Sequence, residues 1–288
     1  MNVKHTKWII LIVLSLIWGS SFILIKKGLV GLSPYQLGAV RIIFAAIFLI
    51  AIGFKTLPNI PVGKWKFIAL TSLFGTFIPA FLFAIAETKI SSTIGAVLNS
   101  LTPVNSLLLG IFIFKLDYMR RQVFGVIIGL LGCLLLIFSG TADHMDQNYY
   151  YAFLVLIATI CYATNVNLIK KYLPDLTPLT ITTGNFVVQL IPAIIILVWT
   201  GFFEMSFTPD VKLSLSYILI LGVIGTGVAN IIFYRLIHIS SPVFATSVTY
   251  LIPIVAFFWG MLDGESLAPL QILGAFVILV GVYLSSRK

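Results

Sequence analysis

The chain contains one stretch twice, LIKKGLVGLSPYQL at Leu24–Leu37 and LIKKYLPDLTPLTI at Leu168–Ile181, and this duplication decides the fold. The two stretches are 144 positions apart without a gap, and seven of their fourteen residues are identical. A match of this length at such a distance indicates that one unit of the fold occurs twice. The apolar segments on either side of each stretch define the size of that unit.

The composition is that of a membrane protein. Of the 288 residues, 60% are hydrophobic and only 9% are charged, and the mean hydropathy is +1.11. A soluble domain has about 25% charged residues, whereas an apolar run of about 20 residues crosses a bilayer as a helix. We predict ten such spans, numbered 1 to 10 in chain order, at approximately 8–27, 34–54, 66–86, 90–114, 122–140, 149–170, 178–200, 214–236, 242–262 and 268–286.

The basic residues predict how the spans are oriented. With the N-terminus in the cytoplasm, thirteen of the eighteen Lys and Arg residues fall at cytoplasmic ends, four fall at outer ends, and Arg41 lies inside a span. This is the positive-inside pattern, and it accounts for the net charge of +9 without a nucleic-acid partner. The first apolar run, Trp8–Ile25, is longer than that of a signal peptide and lacks a cleavage site, so we interpret it as a retained span. We therefore predict an integral protein of the inner (cytoplasmic) membrane with both termini in the cytoplasm.

The two halves of the chain are predicted to have opposite orientations. The LIKK stretches end spans 1 and 6, so the repeated unit has five spans, and an odd number forces the second unit to enter the membrane upside down. Further residues match between the halves: Gly75, Thr76, Pro103 and Gly110 with Gly225, Thr226, Pro253 and Gly260 at an offset of 150, and Gln122, Gly125 and Gly132 with Gln271, Gly274 and Gly281 at an offset of 149. The predicted fold is all-α and integral to the membrane, with ten transmembrane helices in two inverted five-helix repeats, residues 1–140 and 149–288. Many secondary transporters are built in this way.

Four stretches carry a resemblance to a known family: LIWGSSF at Leu16–Phe22, GAVRIIFAA around Arg41, LTPV at Leu101–Val104, and GESLAPLQILGAFVILVGVYL from Gly264. Over nearly its whole length the chain resembles EamA-type members of the drug/metabolite transporter superfamily. The resemblance implies export of amino acids, drugs or other metabolites, and a central cavity formed by spans 1–4 and 6–9. It also implies a Glu after spans 4 and 9. Glu265 fits that pattern, whereas Lys115 occupies the corresponding place in the first half.

Polar and aromatic residues inside the spans form the candidate substrate-binding site, because polar groups at membrane depth must face another helix or a water-filled cavity. The candidates are Trp18, Ser21, Arg41, Asn99, Tyr162, Asn165, Asn185, Asn230 and Tyr250. At the offset of 144, Trp18 matches Tyr162, Ser21 matches Asn165, and Arg41 matches Asn185. Such equivalence is what a site shared by the two halves requires. Interhelical hydrogen bonding without a ligand is the alternative for each residue.

Arg41 and two prolines have more than one interpretation. The guanidinium of Arg41 is either an anchor for an anionic group such as a carboxylate or a structural group that bonds helix carbonyls. Pro103 and Pro253 are either matching hinges for gating or static bends. In the sequence GVIIG, Gly125 and Gly129 are four positions apart, which predicts a close helix contact within the chain in preference to a dimer interface.

These features favour a secondary transporter that exports a small metabolite, such as an amino acid or a drug-like compound, by alternating access. The chain has no Walker A loop, so we do not expect it to hydrolyse ATP. Its three His and two Cys residues show no metal-ligand spacing, so no metal or cofactor is expected. No Asp or Glu is placed deep in a predicted span, which argues against a proton relay through a buried carboxylate. A counter-ion, an exchange substrate and passive facilitation stay open, and so does the oligomeric state.

Two other classes of function are considered. A passive channel would show flux without exchange. A membrane-embedded enzyme acting on a lipid-linked substrate would need clustered acids, a nucleophile with a base, or metal ligands at one face. The available acids for such a site are Asp143, Asp146, Asp263 and Glu265, which have no His or Cys at ligand spacing.

Overall fold

The computed structural model describes residues 3–90, 92–138, 151–262 and 269–285. Within these ranges the chain is helical and contains no β-strand. The α-helices, in chain order, are α1 (Val3–Gly28), α2 (Pro34–Gly53), α3 (Trp65–Ser72), α4 (Ile78–Ala86), α5 (Ser92–Asn99), α6 (Thr102–Phe112), α7 (Arg120–Phe138), α8 (Ala152–Tyr172), α9 (Pro178–Trp199), α10 (Pro209–Ile220), α11 (Ala229–Ile239), α12 (Pro242–Thr246), α13 (Val248–Leu262) and α14 (Pro269–Ser285). Two π-helical segments, Leu73–Phe77 and Leu221–Val228, join α3 to α4 and α10 to α11.

Several helical segments are long and apolar enough to cross a bilayer. Among the described residues, six segments meet that criterion: His5–Gly28, Pro34–Asn59, Val62–Ala86, Ala152–Tyr172, Pro178–Trp199 and Pro209–Ile239. Shorter apolar helices occur at Thr102–Phe112, Pro242–Val255 and Ile272–Ser285. The prediction of an all-helical integral membrane protein is confirmed at this level.

Predicted spans 4 and 9 differ from the single helices that the sequence indicated, because each is divided in two. The break in span 4 lies at Ser100–Leu101, between α5 and α6, and the break in span 9 lies at Ser247, between α12 and α13. Pro103 lies in the first turn of α6, where its missing N–H is tolerated. Pro253 lies inside α13 instead. The two prolines therefore match in sequence but differ in their helical setting.

The duplicated stretch encodes the same turn in each half. A helix ends shortly after each LIKK sequence, and a Ser or Thr followed by Pro starts the next one: Ser33 and Pro34 begin α2, and Thr177 and Pro178 begin α9. In both turns the side-chain oxygen accepts a hydrogen bond from the backbone N–H three residues later. This cap satisfies a helix N–H that has no intrahelical partner, and Pro at the next position needs no such partner.

Helices α7 and α14 form an antiparallel pair with very close backbones. A Cβ atom added to Gly125 would lie 2.5 Å from the Ser285 backbone nitrogen, and one added to Gly132 would lie 2.6 Å from that of Ile278. Residue numbers rise along α7 as they fall along α14, so the helices run in opposite directions. Only glycine permits this separation. The interpretation of GVIIG as packing within the chain is confirmed.

Helices α2 and α9 form a second antiparallel pair. At one end the Gln36 Nε2 donates to the Thr200 carbonyl over 3.2 Å, and at the other end Gly53 packs against Thr183. Two further pairs run parallel. Helix α1 follows α12 and α13, from Trp8 beside Phe244 to Gly19 beside Val255, and α6 follows α8, from Asn105 beside Thr159 to Phe114 beside Lys171.

The end of the molecule at which α1 begins and α14 ends is called the terminal face below, and the other end is called the opposite face. At the terminal face, Trp8 packs on Phe244, and Val243 packs beside Val126 near the start of α7. Buried apolar side chains from α1, α8, α11 and α12 fill this end: Leu11, Ile169, Leu173, Leu236, Ile237 and Phe244. At the opposite face, within the described ranges, one buried apolar cluster includes Leu32, Leu37 and Phe202, and a smaller one includes Phe22, Phe83 and Ile90.

Candidate functional site

A cavity lies in the middle of the helical bundle, between α1, α2, α8, the two π-helical segments and the broken helices. Together with its mouth it encloses an empty volume of about 850 Å³. Seven of the nine predicted site residues line it: Trp18, Ser21, Arg41, Asn99, Tyr162, Asn165 and Asn230. The structure therefore brings together residues from predicted spans 1, 2, 4, 6 and 8.

Asn185 and Tyr250 do not line the cavity. The Asn185 amide is fully buried and bonds Thr71 over 2.9 Å and Tyr234 over 3.1 Å. The Tyr250 hydroxyl donates to the Val126 carbonyl over 2.9 Å, so its ring ties α13 to α7. Both side chains satisfy their polar atoms against neighbouring helices. Both residues therefore make interhelical hydrogen bonds without contact with the cavity, which was the alternative interpretation of the polar residues.

Arg41 lines the cavity from α2 and is held at one edge of its guanidinium. Its Nε donates to Oγ1 of Thr226 over 2.7 Å, and that hydroxyl donates in turn to the Leu221 carbonyl over 2.9 Å within the π-helical segment. A π-helix leaves some backbone carbonyls without their usual N–H partner four residues later, so the Thr226 hydroxyl can donate to one of them while it accepts from Arg41. In the described residues, no hydrogen bond occupies the two terminal guanidinium nitrogens. The geometry leaves the bidentate edge available to a ligand.

Glu87 is a buried acidic residue outside the predicted site. It follows directly on the end of α4, and only 6% of it is exposed. Its carboxylate is close enough to Arg41 to interact with the guanidinium charge. A carboxylate is thus buried near the cavity, which the count of charges inside predicted spans could not reveal. The argument against a buried acid is corrected to this extent.

Two glycines from the repeated Gly-Thr pairs let side chains approach the π-helical segments. A Cβ on Gly75 would lie 2.7 Å from Cγ of Asn165, and one on Gly225 would lie 3.1 Å from Oγ of Ser21. Asn165 and Ser21 are themselves a matched pair. The sequence analysis noted these glycines as repeat markers but did not include them in the site. Their occurrence at matched positions in both halves could have identified them as residues near the cavity.

The cavity offers both polar and aromatic surface. Oγ1 of Thr76 and Oδ1 of Asn165 are buried and have no hydrogen-bond partner within the part of the chain that the structure describes. Aromatic rings of Phe22, Phe83 and Phe233 complete the lining together with the indole of Trp18, whose Nε1 donates to the Gly225 carbonyl over 3.0 Å. Buried polar groups normally find partners, so the two oxygens are positioned to bond water or a ligand.

The residues predicted for other roles lie either beside the cavity lining or outside the described residues. Pro103 and Pro253 do not line the cavity, but each follows closely on Thr102 and Ile252, which do. Glu265, Asp143, Asp146 and Asp263 lie outside the described residues. Lys115, at the place where the resemblance implied Glu, adopts a left-handed conformation (φ 53°) in the turn after α6.

The fold and the cavity define an integral membrane protein with a central, partly polar site. The chain belongs to the EamA-like transporter family, whose sequence model matches residues 6–138 and again residues 150–287. That family consists of transporters rather than enzymes.

Several relatives are similar over nearly their whole length. An uncharacterized transporter of Archaeoglobus fulgidus is 27% identical, with 98% of this chain and 99% of the relative covered. A probable amino-acid metabolite efflux pump of Salmonella typhimurium is 25% identical, with coverages of 93% and 91%, and the uncharacterized inner membrane transporter YedA of Escherichia coli is 28% identical, with coverages of 95% and 88%. A crystal structure with 15% identity has the same fold, with a TM-score of 0.75 over 98% of this chain and 96% of that chain.

Proposed function

We propose that this protein is a secondary transporter that exports a small metabolite by alternating access. The observation that carries the proposal is the central cavity, in which Arg41 presents guanidinium nitrogens beside duplicated polar positions. A carrier must bind its substrate near the bilayer midplane and expose it to each side in turn, and a site between two structural units allows this.

The proposed architecture is two inverted repeats, residues 1–140 and 149–288, with ten spans. Its support comes from the direction of the helix pairs, in which α7 with α14 and α2 with α9 are antiparallel. A π-helical segment occurs at the matched Gly-Thr pair of each half, and a helix break occurs near each matched Pro. One family model also matches both halves. We further propose that both termini are cytoplasmic, in the inner membrane, because the basic residues are concentrated at the terminal face.

The proposed substrate is a small anionic or zwitterionic metabolite, such as an amino acid. The guanidinium fork fits a carboxylate, the free oxygens of Thr76 and Asn165 fit a donor such as an ammonium group, and the aromatic rings fit an apolar part. A relative that carries the name of a probable amino-acid metabolite efflux pump agrees with this class. We assign substrate contact to Trp18, Ser21, Arg41, Asn99, Tyr162, Asn165 and Asn230. Asn185 and Tyr250 are assigned to packing.

Counterflow in proteoliposomes tests this proposal. Vesicles are loaded with unlabelled amino acids, organic anions, nucleosides or cationic drugs and then supplied with a labelled member of the same pool. We expect accumulation with the amino acids or organic anions, and its loss in Arg41→Ala and Asn165→Ala. Lys212→Met, an exposed lysine remote from the cavity, is the control.

The other outcomes separate the alternatives. Flux that follows an imposed gradient without exchange would favour a passive channel. Turnover of a lipid-linked substrate by the purified protein would favour an enzyme. Accumulation driven by cationic drugs and unaffected by Arg41→Ala would refute the assignment of the anionic substrate class.

A further inference from the structure

The two LIKK stretches make different contacts, although they have the same sequence. At the terminal face, Lys170 lies at the end of α8, and its Nζ donates to the carbonyls of Ile237 and Ser240 over 3.1 and 2.7 Å. Those carbonyls belong to the last turn of α11. The Nζ of Lys171 donates to the Phe114 carbonyl over 2.6 Å, just after the end of α6.

Lysines at these places have a clear physical effect. The last carbonyls of a helix have no intrahelical donor and carry the negative end of the helix dipole. An ammonium group that bonds them joins its own helix to the helix end it caps. Lys170 and Lys171 therefore fasten α8 to both α11 and α6, beside the apolar cluster that fills the terminal face.

The equivalent lysines at the opposite face make no such bonds. Lys26 is exposed, and in the residues that the structure describes it has no hydrogen bond or ion pair. The Nζ of Lys27 lies over the Tyr217 ring, 5.3 Å from its centroid, and caps no helix end within the same ranges. Within the described residues, lysine side chains therefore join helix ends at the terminal face but not at the opposite face.

The offsets between the two halves predict which groups Lys26 and Lys27 would contact in the opposite state. Lys26 matches Lys170 at the offset of 144, and at the offset of 150 Ile237 and Ser240 match Glu87 and Ile90. These two residues lie in the turn directly after α4, and by chain position this turn corresponds in the first half to the end of α11 in the second. The position that matches Phe114 is 264, which lies outside the described residues.

We propose that Lys26 and Lys27 are positioning residues for transport: in the opposite state of the cycle Lys26 clamps α1 to the end of α4 as Lys170 clamps α8 to the end of α11 here, and Lys27 adds the second positive charge that Lys171 supplies at the terminal face. The inference rests on the alternating access proposed above. The duplicated lysines then serve as two exclusive latches. Each stabilises the state in which its own face is closed, and the structure has the terminal latch closed.

Pulsed EPR distances between spin labels test this device without any substrate. The native cysteines are replaced (Cys133→Ala, Cys161→Ala), and label pairs are placed at exposed sites. Val30→Cys with Thr88→Cys reports on the opposite face, and Pro174→Cys with Arg235→Cys reports on the terminal face. Gel filtration confirms that each labelled variant is monodisperse.

Removal of each latch should shift the populations in opposite directions. Lys170→Met with Lys171→Met should raise the ratio of terminal-open to terminal-closed molecules about tenfold, because charged donors are lost from one state only. Addition of Lys26→Met and Lys27→Met to that variant should reverse the gain by about the same factor. Addition of Lys26→Arg and Lys27→Arg instead should leave the raised ratio of terminal-open to terminal-closed molecules unchanged, because arginine keeps both the positive charge and the hydrogen-bond donors.

Two exposed lysines outside the latches provide control variants. Lys55→Met at the terminal face and Lys212→Met at the opposite face each remove one positive charge from an exposed lysine, and together they remove two, as each latch variant does. Singly or combined, they should leave the ratio within about twofold of its starting value. If Lys26→Met with Lys27→Met behaves like Lys212→Met while two populations are visible, the latch is refuted and alternating access stands. If every variant shows a single distance at both faces, alternating access is refuted and the latch with it.

Discussion

The Nε of Arg41 and the Oγ1 of Thr226 are 2.7 Å apart, although 185 positions separate them in the chain. This bond joins α2 of the first half to the π-helical segment of the second half at the wall of the cavity. The hydroxyl also donates to the Leu221 carbonyl, so it can accept from Arg41 with little freedom to rotate. The guanidinium is thereby fixed by a contact between the halves that the proposed transport cycle would have to preserve or break.

Thr226→Val should impair substrate binding without removal of the positive charge. The variant keeps the volume of the side chain but loses the acceptor for Arg41, so the guanidinium is no longer held in one orientation. We expect an increase in the half-saturating substrate concentration of about tenfold, the equivalent of one hydrogen bond to a charged group. Counterflow at several concentrations of a labelled amino acid measures it. Thr164→Val, at a half-buried site on α8 outside the cavity lining, should be silent, and equal effects of both variants would contradict the prediction.

Arg41→Lys should not replace arginine. A lysine keeps the charge but has neither the planar fork nor the Nε bond to Thr226, so a bidentate carboxylate contact is lost. We expect transport of an anionic substrate to fall at least about tenfold, with a smaller loss than in Arg41→Ala. Full activity of Arg41→Lys would indicate that only a point charge is needed.

Gly75→Ala should reduce transport more than Gly225→Ala. The added methyl group on Gly75 would lie 2.7 Å from the Asn165 side chain, whereas that on Gly225 would lie 3.0 Å from Leu221 and 3.1 Å from Ser21. Contacts below about 3 Å force a neighbour to move, and such overpacking costs roughly 1–3 kcal/mol. Counterflow and thermal stability of the purified variants measure both effects. Gly63→Ala has open space around it and is the control. A reversed order of the two effects would contradict the geometry.

Lys115→Gly should stabilise the protein. Lys115 has φ 53°, a left-handed conformation that is unfavourable for a residue with a Cβ atom and open to glycine. Relief of this strain should contribute about 1 kcal/mol, with a higher unfolding midpoint in a thermal or denaturant scan. Lys66→Gly, in the first turn of α3, should be destabilising and shows that the gain depends on position. A decrease in the midpoint of Lys115→Gly would refute the prediction.

The ion pair between Lys64 and Asp175 should make stability depend on acid pH. The Lys64 ammonium bonds the Asp175 carboxylate in the loops at the terminal face and lowers the pKa of that carboxyl from its usual value of 3.8. The stabilisation is fully present above the unfolded pKa and is lost as the pH falls through the lower folded pKa. The effect should be small because the Asp175 side chain is 57% exposed and solvent screens the pair.

Thermal unfolding of the wild type and of Asp175→Asn between pH 3 and 7 checks this prediction. The difference between the two proteins should be greatest at neutral pH and should begin to shrink as the pH falls below the usual carboxyl pKa of 3.8. Asp117→Asn, an exposed acid at the same face, is the matched control. A difference that grows toward acid pH would have the wrong sign.

Most of the predicted residues line the cavity because polar side chains are rare inside membrane spans. Few polar residues occur in the spans, so Trp18, Arg41, Asn165 and Asn230 stood out, and all four line the cavity. Glu87 was misjudged because its position at a helix end gave no sign of its burial. Asn185 matched Arg41 along the chain, yet it packs against Thr71, because equal positions in two halves need not have equal neighbours.

Local sequence was enough to predict most of the helical spans, the turn that follows each LIKK stretch and the placement of polar residues inside apolar segments. These features depend on local chemistry: apolar length, a Ser or Thr cap, and a Pro that follows it. Only the tertiary structure decided which side chains face the cavity and which lysines reach a helix end. Lys26 and Lys170 have the same local sequence, and the difference between them arises from the distance to another helix, which no local pattern contains.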